Sequence, residues 1–336
     1  MLSGIAPIGP QIGPNTAAEG ALLELKVRAI AQKAEGIFSF DLRCPDGRAL
    51  PPFTAGAHLD VILPEDITRS YSLVSLPEDG RRYVIAVGRD PASRGGSAYL
   101  CDRVRPGDRI QVRPPSNTFA LIENASQSVF VAGGIGITPV WCMIQRLAEL
   151  GRPWELHYAA KSRDRAAFLP EIEALAARSD GCVTTALGAS GDARLDMHAI
   201  VGQVRHPKAH LYCCGPVGML ETFASATAHL PLETVHREAF AADQAPARGG
   251  FEVVLASSGR TIFVPTDKTI LQTLLDEGLS IARSCQEGVC GTCETGVLEG
   301  VPDHRDAVLS AREKRTNTRM MICVSGCLGN RLVLDL

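Results

Sequence analysis

Three cysteines, Cys285, Cys290 and Cys293, stand in the spacing C-x4-C-x2-C within RSCQEGVCGTCETG, and a fourth, Cys323, follows in MMICVSGC. A short loop that supplies three thiolates must fold around what it binds, and this is the spacing of plant-type [2Fe–2S] loops. Gly288 and Gly291 allow a tight turn whose amide N–H groups point at the sulfurs, which helps set a cluster's potential. Structural zinc sites usually use two C-x2-C pairs, and only one is present here, so a zinc staple or unrelated thiols are weaker readings. Cys327, four residues after Cys323, is a rival fourth ligand. The chain has 11 cysteines, an odd number, and its first residues lack a basic stretch followed by an apolar block. A disulfide framework is therefore disfavoured, and a cytoplasmic location is expected.

A length of 336 residues suggests two or three domains. Residues 1–20 read as a Gly/Pro-rich, mostly disordered tail. Over 21–125, β-rich runs (ALLELKVRAIAQKA, GIFSFDLRC, HLDVILP, RSYSLVSL, RRYVIAVGR, RPGDRIQVRPP) alternate with turn residues, predicting an antiparallel β-barrel with a short helix at Ser97–Asp102. Over 126–240 the rhythm changes. SVFVAGG, WELHYAA, CVTTAL, AHLYCCG and ETVHRE read as strands, and helical segments separate most of them, predicting an α/β unit with a parallel sheet. Residues 241–250, AADQAPARGG, read as an interdomain linker. Residues 251–336 form a third unit that opens with a hairpin around Ser257–Arg260, continues with a helix in KTILQTLLDEG and then reaches the cysteine loop. The expected fold class is thus multidomain. Hydrophobic residues at 45% exclude global disorder. A net charge of −3 argues against a nucleic-acid partner, and no uncharged apolar run of about 18 residues predicts a membrane span.

Two glycine-bearing turns mark a second site. VFVAGGIGITPV sets Gly133, Gly134 and Gly136 between a strand and a helix opened by Thr138-Pro139, where a pyrophosphate could approach backbone amides. The bland alternative is a tight βα turn demanded by packing. YCCGPVGM repeats the arrangement with Cys214, Gly215 and Pro216, and ligands of open α/β sheets bind at such strand ends. Cys214 is expected at the lip of that crevice, or else as a small buried core residue. A third candidate is Arg69-Ser70-Tyr71-Ser72, read as a strand that sets a Tyr and a Ser on one side to stack on a flavin ring and hydrogen-bond it. Arg94, Gly95, Gly96 and Ser97 would hold a phosphate, with Ser97 at a helix start. Residues 81–113 carry eight Arg against three Asp, either a solvated basic face or the seat of an anionic group.

In their order these motifs (R-S-Y-S, R-G-G-S, P-P-S-N-T-F, G-G-I-G-I-T-P, C-C-G-P, E-x-F and the four cysteines) resemble the phthalate dioxygenase reductase and vanillate O-demethylase reductase family. The resemblance runs over residues 21–336. It implies a flavin domain, a nicotinamide domain and a β-grasp ferredoxin domain, with FMN, NADH and a [2Fe–2S] cluster as cofactors. It implies that Arg69, Tyr71 and Ser72 contact the flavin, and that Gly95, Gly96 and Ser97 cradle its phosphate. Gly134, Gly136, Thr138 and Cys214 would line the nicotinamide site, with Phe240 and Glu238 near the flavin ring. Cys323 rather than Cys327 would complete the cluster. Lys161, Arg163 and Arg165 bear on the choice between NADH and NADPH, because Arg near a ribose can accommodate a 2′-phosphate. The implied activity is that of an oxygenase reductase feeding a Rieske-type aromatic oxygenase or O-demethylase. The alternatives are a reductase for a cytochrome-type haem monooxygenase, or a zinc-stapled interaction module.

Overall fold

The computed structural model describes residues 22–64, 67–90, 95–188, 195–206, 208–240, 245–309 and 311–336. The expected tail at 1–20 lies outside them, as do Arg94 and the first residues of the expected linker. Among the described residues no helix is long and apolar enough to cross a membrane.

The first unit is one antiparallel sheet built from β1 (Leu23–Ala34), β2 (Ile37–Arg43), β3 (His58–Ile62), β4 (Thr68–Ser72), β5 (Tyr83–Gly88) and β6 (Arg109–Val112), with helix α1 (Gly96–Asp102) after β5. Its strand order is β4-β3-β6-β1-β2-β5. A bridge between Leu73 and Ile85 joins the two ends, so the sheet curls into the expected barrel. Closure leaves no open edge at that seam. Alternation fills the inside: Leu25, Val27, Phe40, Leu42, Leu59, Val61 and Ile85 are fully buried together.

The second unit is a parallel sheet of β7 (Gln127–Gly133), β8 (Trp154–Ala160), β9 (Gly181–Leu187), β10 (Ala209–Cys214) and β11 (Val235–Glu238). Its order is β11-β10-β7-β8-β9. The chain leaves β7 toward β8 and later returns on the opposite side as β10. This makes the C-terminal ends of β7 and β10 the topological switch point, where such sheets bind ligands. Helices α2 (Ile137–Glu149), α3 (Leu169–Ala176), α4 (Met197–Gln203) and α5 (Val217–Ala226) cover the faces. The sequence reading missed α4, whose N-cap is Asp196, its carboxylate accepting from the Ala199 N–H.

The third unit is a mixed sheet of β12 (Phe251–Leu255), β13 (Thr261–Val264), β14 (Glu294–Glu299), β16 (Arg319–Met321) and β18 (Arg331–Leu334), beside a small ribbon of β15 (Pro302–Asp303) and β17 (Gly326–Cys327). Helix α6 (Ile270–Asp276) packs Ile270, Leu271 and Leu274 into its core, and α7 (Ala311–Thr316) lies beside β16. The expected linker at 241–250 is held along its described part. The Ala247 N–H donates to the Val324 carbonyl and the Gly250 N–H to the Val264 carbonyl, both at 2.7 Å, so its second half is tied to the third unit.

Candidate flavin and cluster site

A cleft of about 240 Å³ opens where the three units meet. The barrel contributes Arg69–Ser72 on β4 and Gly96 and Ser97 at the start of α1. The parallel-sheet unit contributes Ile135 and Thr138, together with Glu238 at the end of β11 and Phe240 just after it. The cysteine loop contributes Cys285 and Cys290. Residues separated by more than 200 positions therefore share one cavity.

Strand β4 is set by alternation, and here the sequence reading needs correction. Tyr71 shares its side of the strand with Arg69, not with a serine. A Cβ added at Gly96 would come within 2.6 Å of Arg69 Cγ and 3.2 Å of the Tyr71 hydroxyl. Glycine at 96 is therefore a steric requirement of that side. Burial pushes the Tyr71 phenol above its ordinary range, so it stays protonated and can donate. Ser70 turns to the opposite side, where its hydroxyl donates to Asp60 at 2.7 Å. Ser72 Oγ is buried and, among the described residues, has no hydrogen-bond partner. A buried hydroxyl without a partner is costly, and this one borders the cleft. An unsatisfied hydroxyl, a glycine cradle and an adjacent Arg–Tyr side fit a planar, polar-edged ring with a phosphate tail. Ser97 is the second correction. The cap position falls to Gly95 at φ 98°, and Ser97 lies inside the helix, where its Oγ accepts from the Asp90 N–H at 3.2 Å.

At the switch point the glycines serve close approach. A Cβ at Gly136 would sit 2.1 Å from the Cys214 carbonyl oxygen, and one at Gly133 would sit 2.6 Å from Pro216 Cδ. Gly215 is similarly confined, with the Gly133 amide nitrogen 3.1 Å from an added Cβ. The two turns therefore touch through Gly133, Gly136, Gly215 and Pro216 behind the cleft, while Gly134 takes a left-handed φ of 54°. Only Thr138 of this group lines the cleft, its hydroxyl donating to the Ile135 carbonyl at 2.9 Å.

Cys214 is not at a lip. It is fully buried at the end of β10, where burial holds its thiol well above the ordinary range. Its sulfur lies 3.9 Å from Glu238 Oε2. Glu238 is itself pushed up to about 8, chiefly by burial, so near neutral pH this carboxyl is mostly protonated. Phe240 is 38% exposed at the rim. Arg163 pairs with Glu173, and Arg165 pairs with Glu35 on the barrel. Both pairs lie on the exposed surface. The excess of Arg in 81–113 is likewise partly neutralised on the surface, by Arg89–Asp102, Arg82–Asp79 and Arg109–Glu24.

The four predicted ligands converge. Cys285, Cys290, Cys293 and Cys323 are each less than a tenth exposed. They pair as two couples, Cys285 with Cys290 and Cys293 with Cys323. The partner thiol and burial push Cys285 and Cys323 up, while the partner thiol holds Cys290 and Cys293 low. Two couples are what a two-iron cluster needs, with two thiolates for each iron. Gly288 and Gly291 adopt φ of 70° and 77°, and the Glu287 N–H points at Cys285 Sγ at 3.3 Å. Cys327 is turned away: its thiol faces the Arg331 carbonyl and accepts from the Gly329 N–H. All 11 cysteines are free thiols. The sequence reading did not single out Glu287, His58 or Asp60, because nothing local to them signals a site.

Family models match residues 253–327 as a 2Fe-2S iron-sulfur cluster binding domain and residues 130–225 as an oxidoreductase NAD-binding domain. The chain is 52% identical to phenoxybenzoate dioxygenase subunit beta of Ectopseudomonas oleovorans, covering 96% of this chain and 100% of that one. It superposes with a TM-score of 0.71 on phthalate dioxygenase reductase, described as a modular structure for electron transfer from pyridine nucleotides to [2Fe-2S]. That match has 38% identity and covers 94% of this chain and 98% of the other. It also superposes, with a TM-score of 0.78 and 37% identity, on part of an intact type IV self-sufficient cytochrome monooxygenase, covering 94% of this chain and 41% of that one.

Proposed function

The chain belongs to the family of oxygenase reductases that includes phthalate dioxygenase reductase, and on that footing we propose that it delivers electrons from NADH to a Rieske-type aromatic oxygenase or O-demethylase. It is an oxidoreductase with NAD, FMN and [2Fe–2S] as its cofactors, and it works as the reductase component of an oxygenase system with a terminal oxygenase as partner. The observation that carries the reading is the shared cleft, where the flavin-side strand β4, the segment ending in Phe240 and two cluster cysteines face one another.

The flavin supplies the conversion of a two-electron hydride into single electrons that a cluster accepts one at a time. The chain's own residues bind and orient. Arg69, Tyr71 and Ser72 would hold the ring and Gly95, Gly96 and Ser97 the phosphate; Arg94 lies outside the described residues. Phe240 covers the cleft at the rim, the place a nicotinamide must enter. Thr138 borders that entrance, with the Gly134–Gly136 turn behind it. Glu238, half-buried beside Cys214, keeps its proton near neutral pH. Hydride transfer between stacked rings depends on proximity, and no acid or base need act. Boundaries at residues 125, 240 and 250 separate the three units in this reading. A chain of free thiols suits the cytoplasm.

The haem-monooxygenase reading has a fused counterpart among the structural matches. The Rieske reading is favoured because the full-length relatives are named as subunits of dioxygenases and demethylases. Anaerobic purification followed by one equivalent of NADH tests the core of it. Flavin bands and a broad cluster shoulder should bleach, with a paramagnetic signal at low temperature. A preparation that stays colourless after flavin and iron–sulfide reconstitution would end this reading. Turnover reconstituted with a purified Rieske oxygenase, against a haem monooxygenase, decides the partner.

A further inference from the structure

A buried carboxylate joins the barrel to the cluster loop. Asp60 on β3 is 4% exposed. Its Oδ1 accepts from Ser70 Oγ of β4 at 2.7 Å and from Ser284 Oγ of the third unit at 2.8 Å. Ser70 borders the cleft, and Ser284 immediately precedes Cys285, which also borders it. On the barrel side the carboxylate is firmly placed. His58 Nε2 lies 3.9 Å from Oδ1 and is itself hydrogen-bonded to Ser116 Oγ at 2.9 Å. The Arg113 N–H donates to the Asp60 backbone carbonyl at 2.9 Å. A second contact lies on the other flank of Cys285, where Arg69 Nη1 comes within 3.6 Å of Glu287 Oε1. Cys285 is thus bracketed, at one residue before and two after, by the contacts that tie its loop to the barrel.

Hydrogen bonds to ionised acceptors are short, directional and about twice as strong as neutral ones. A fixed acceptor on one unit and a single hydroxyl on the other make a register point: the loop docks in the place where Ser284 reaches Asp60. We propose that Asp60 is a positioning residue that, through Ser284, seats the cluster loop against the flavin cleft and so sets the distance electrons cross within the chain. The proposal rests on the reading that the cleft holds the flavin and the loop holds the cluster. Asp60 does not border the cleft and has no part in hydride transfer.

The test uses the full-length holoprotein and, separately, the protein stripped of both cofactors. Amide hydrogen exchange is followed over residues 57–62 and 281–288, where exchange rises with the population of undocked loop. In Ser284→Ala the exchange should quicken tenfold or more, a shift of about 1.4 kcal/mol. Asp60→Ala should do the same, and Asp60→Asn, which keeps an acceptor oxygen, should restore most of the protection. In rapid mixing with NADH, flavin bleaching in Ser284→Ala should keep the parent rate while cluster reduction slows at least tenfold. If Asp60→Ala does not fold, Ser284→Ala decides alone. Parent-like exchange and parent-like cluster reduction in Ser284→Ala would overturn the proposal, as would slowed flavin bleaching with unaltered exchange. Should the parent protein bleach neither band with NADH, the functional reading fails, while the exchange comparison in stripped protein still judges the docking contact.

Discussion

At the residue scale, the cluster cysteines show how far spacing reaches. Three ligands were legible because they share one loop, while the choice of Cys323 over Cys327 came from the family resemblance alone. Cys323 is 3% exposed and pairs with Cys293, whereas Cys327 packs against its own turn. Cys323→Ser should therefore yield protein without the cluster's visible absorption or its iron, and Cys327→Ser should keep both; absorption spectra and iron assay check this. Gly136 is a sharper steric case. An added Cβ would meet a backbone oxygen at 2.1 Å, an atom that cannot swing aside. Gly136→Ala should destabilise the parallel-sheet unit by roughly 2 kcal/mol or more and weaken NADH binding, read by melting and by titration. The sequence marked this glycine as a phosphate-loop residue; its approach to the Cys214 carbonyl shows that packing also requires it.

At the element scale, pattern and punctuation served well where elements stand alone. Strands of the barrel and of the parallel sheet follow alternation and apolar runs bounded by glycines, and α6 opens on a cap that the sequence reading did not use. Thr269 Oγ1 accepts from the Gln272 N–H, and Gln272 Oε1 accepts from the Thr269 N–H, a reciprocal capping box. Thr269→Ala should cost the third unit about 1 kcal/mol, measured by denaturant unfolding followed through the cluster absorption. Less legible were the short pieces. β15 and β17 are two residues each, and they exist only because chain segments far apart in sequence lie side by side. The face of β4 that meets the cleft was misjudged for a related reason. Alternation by itself puts Arg69, not a serine, beside Tyr71, while Gly96 and Asp60, from other elements, decide what each side touches.

At the scale of the whole molecule, stability has a pH dependence rooted at the edge of the parallel sheet. His236 on β11 stacks on Tyr212 and shares a hydrogen bond with His210 at 2.8 Å. Burial, and then the neighbouring His210, hold His236 down to about 4. An unfolded chain binds that proton near pH 6.5, so between about 6.5 and 4 the unfolded state carries more protons and stability falls as pH falls. His236→Phe should flatten this acid loss by roughly 2 kcal/mol, visible in urea midpoints taken across that range. Sequence alone determined the three kinds of unit, the cluster loop, the glycine turns and the family, because each is written in local spacing or in the order of motifs. The tertiary structure decided what faces what. Asp60 and Ser284 lie 224 positions apart, and the cleft draws on three units. No local pattern records such meetings, since they arise only when separately folded surfaces bury their polar groups against one another.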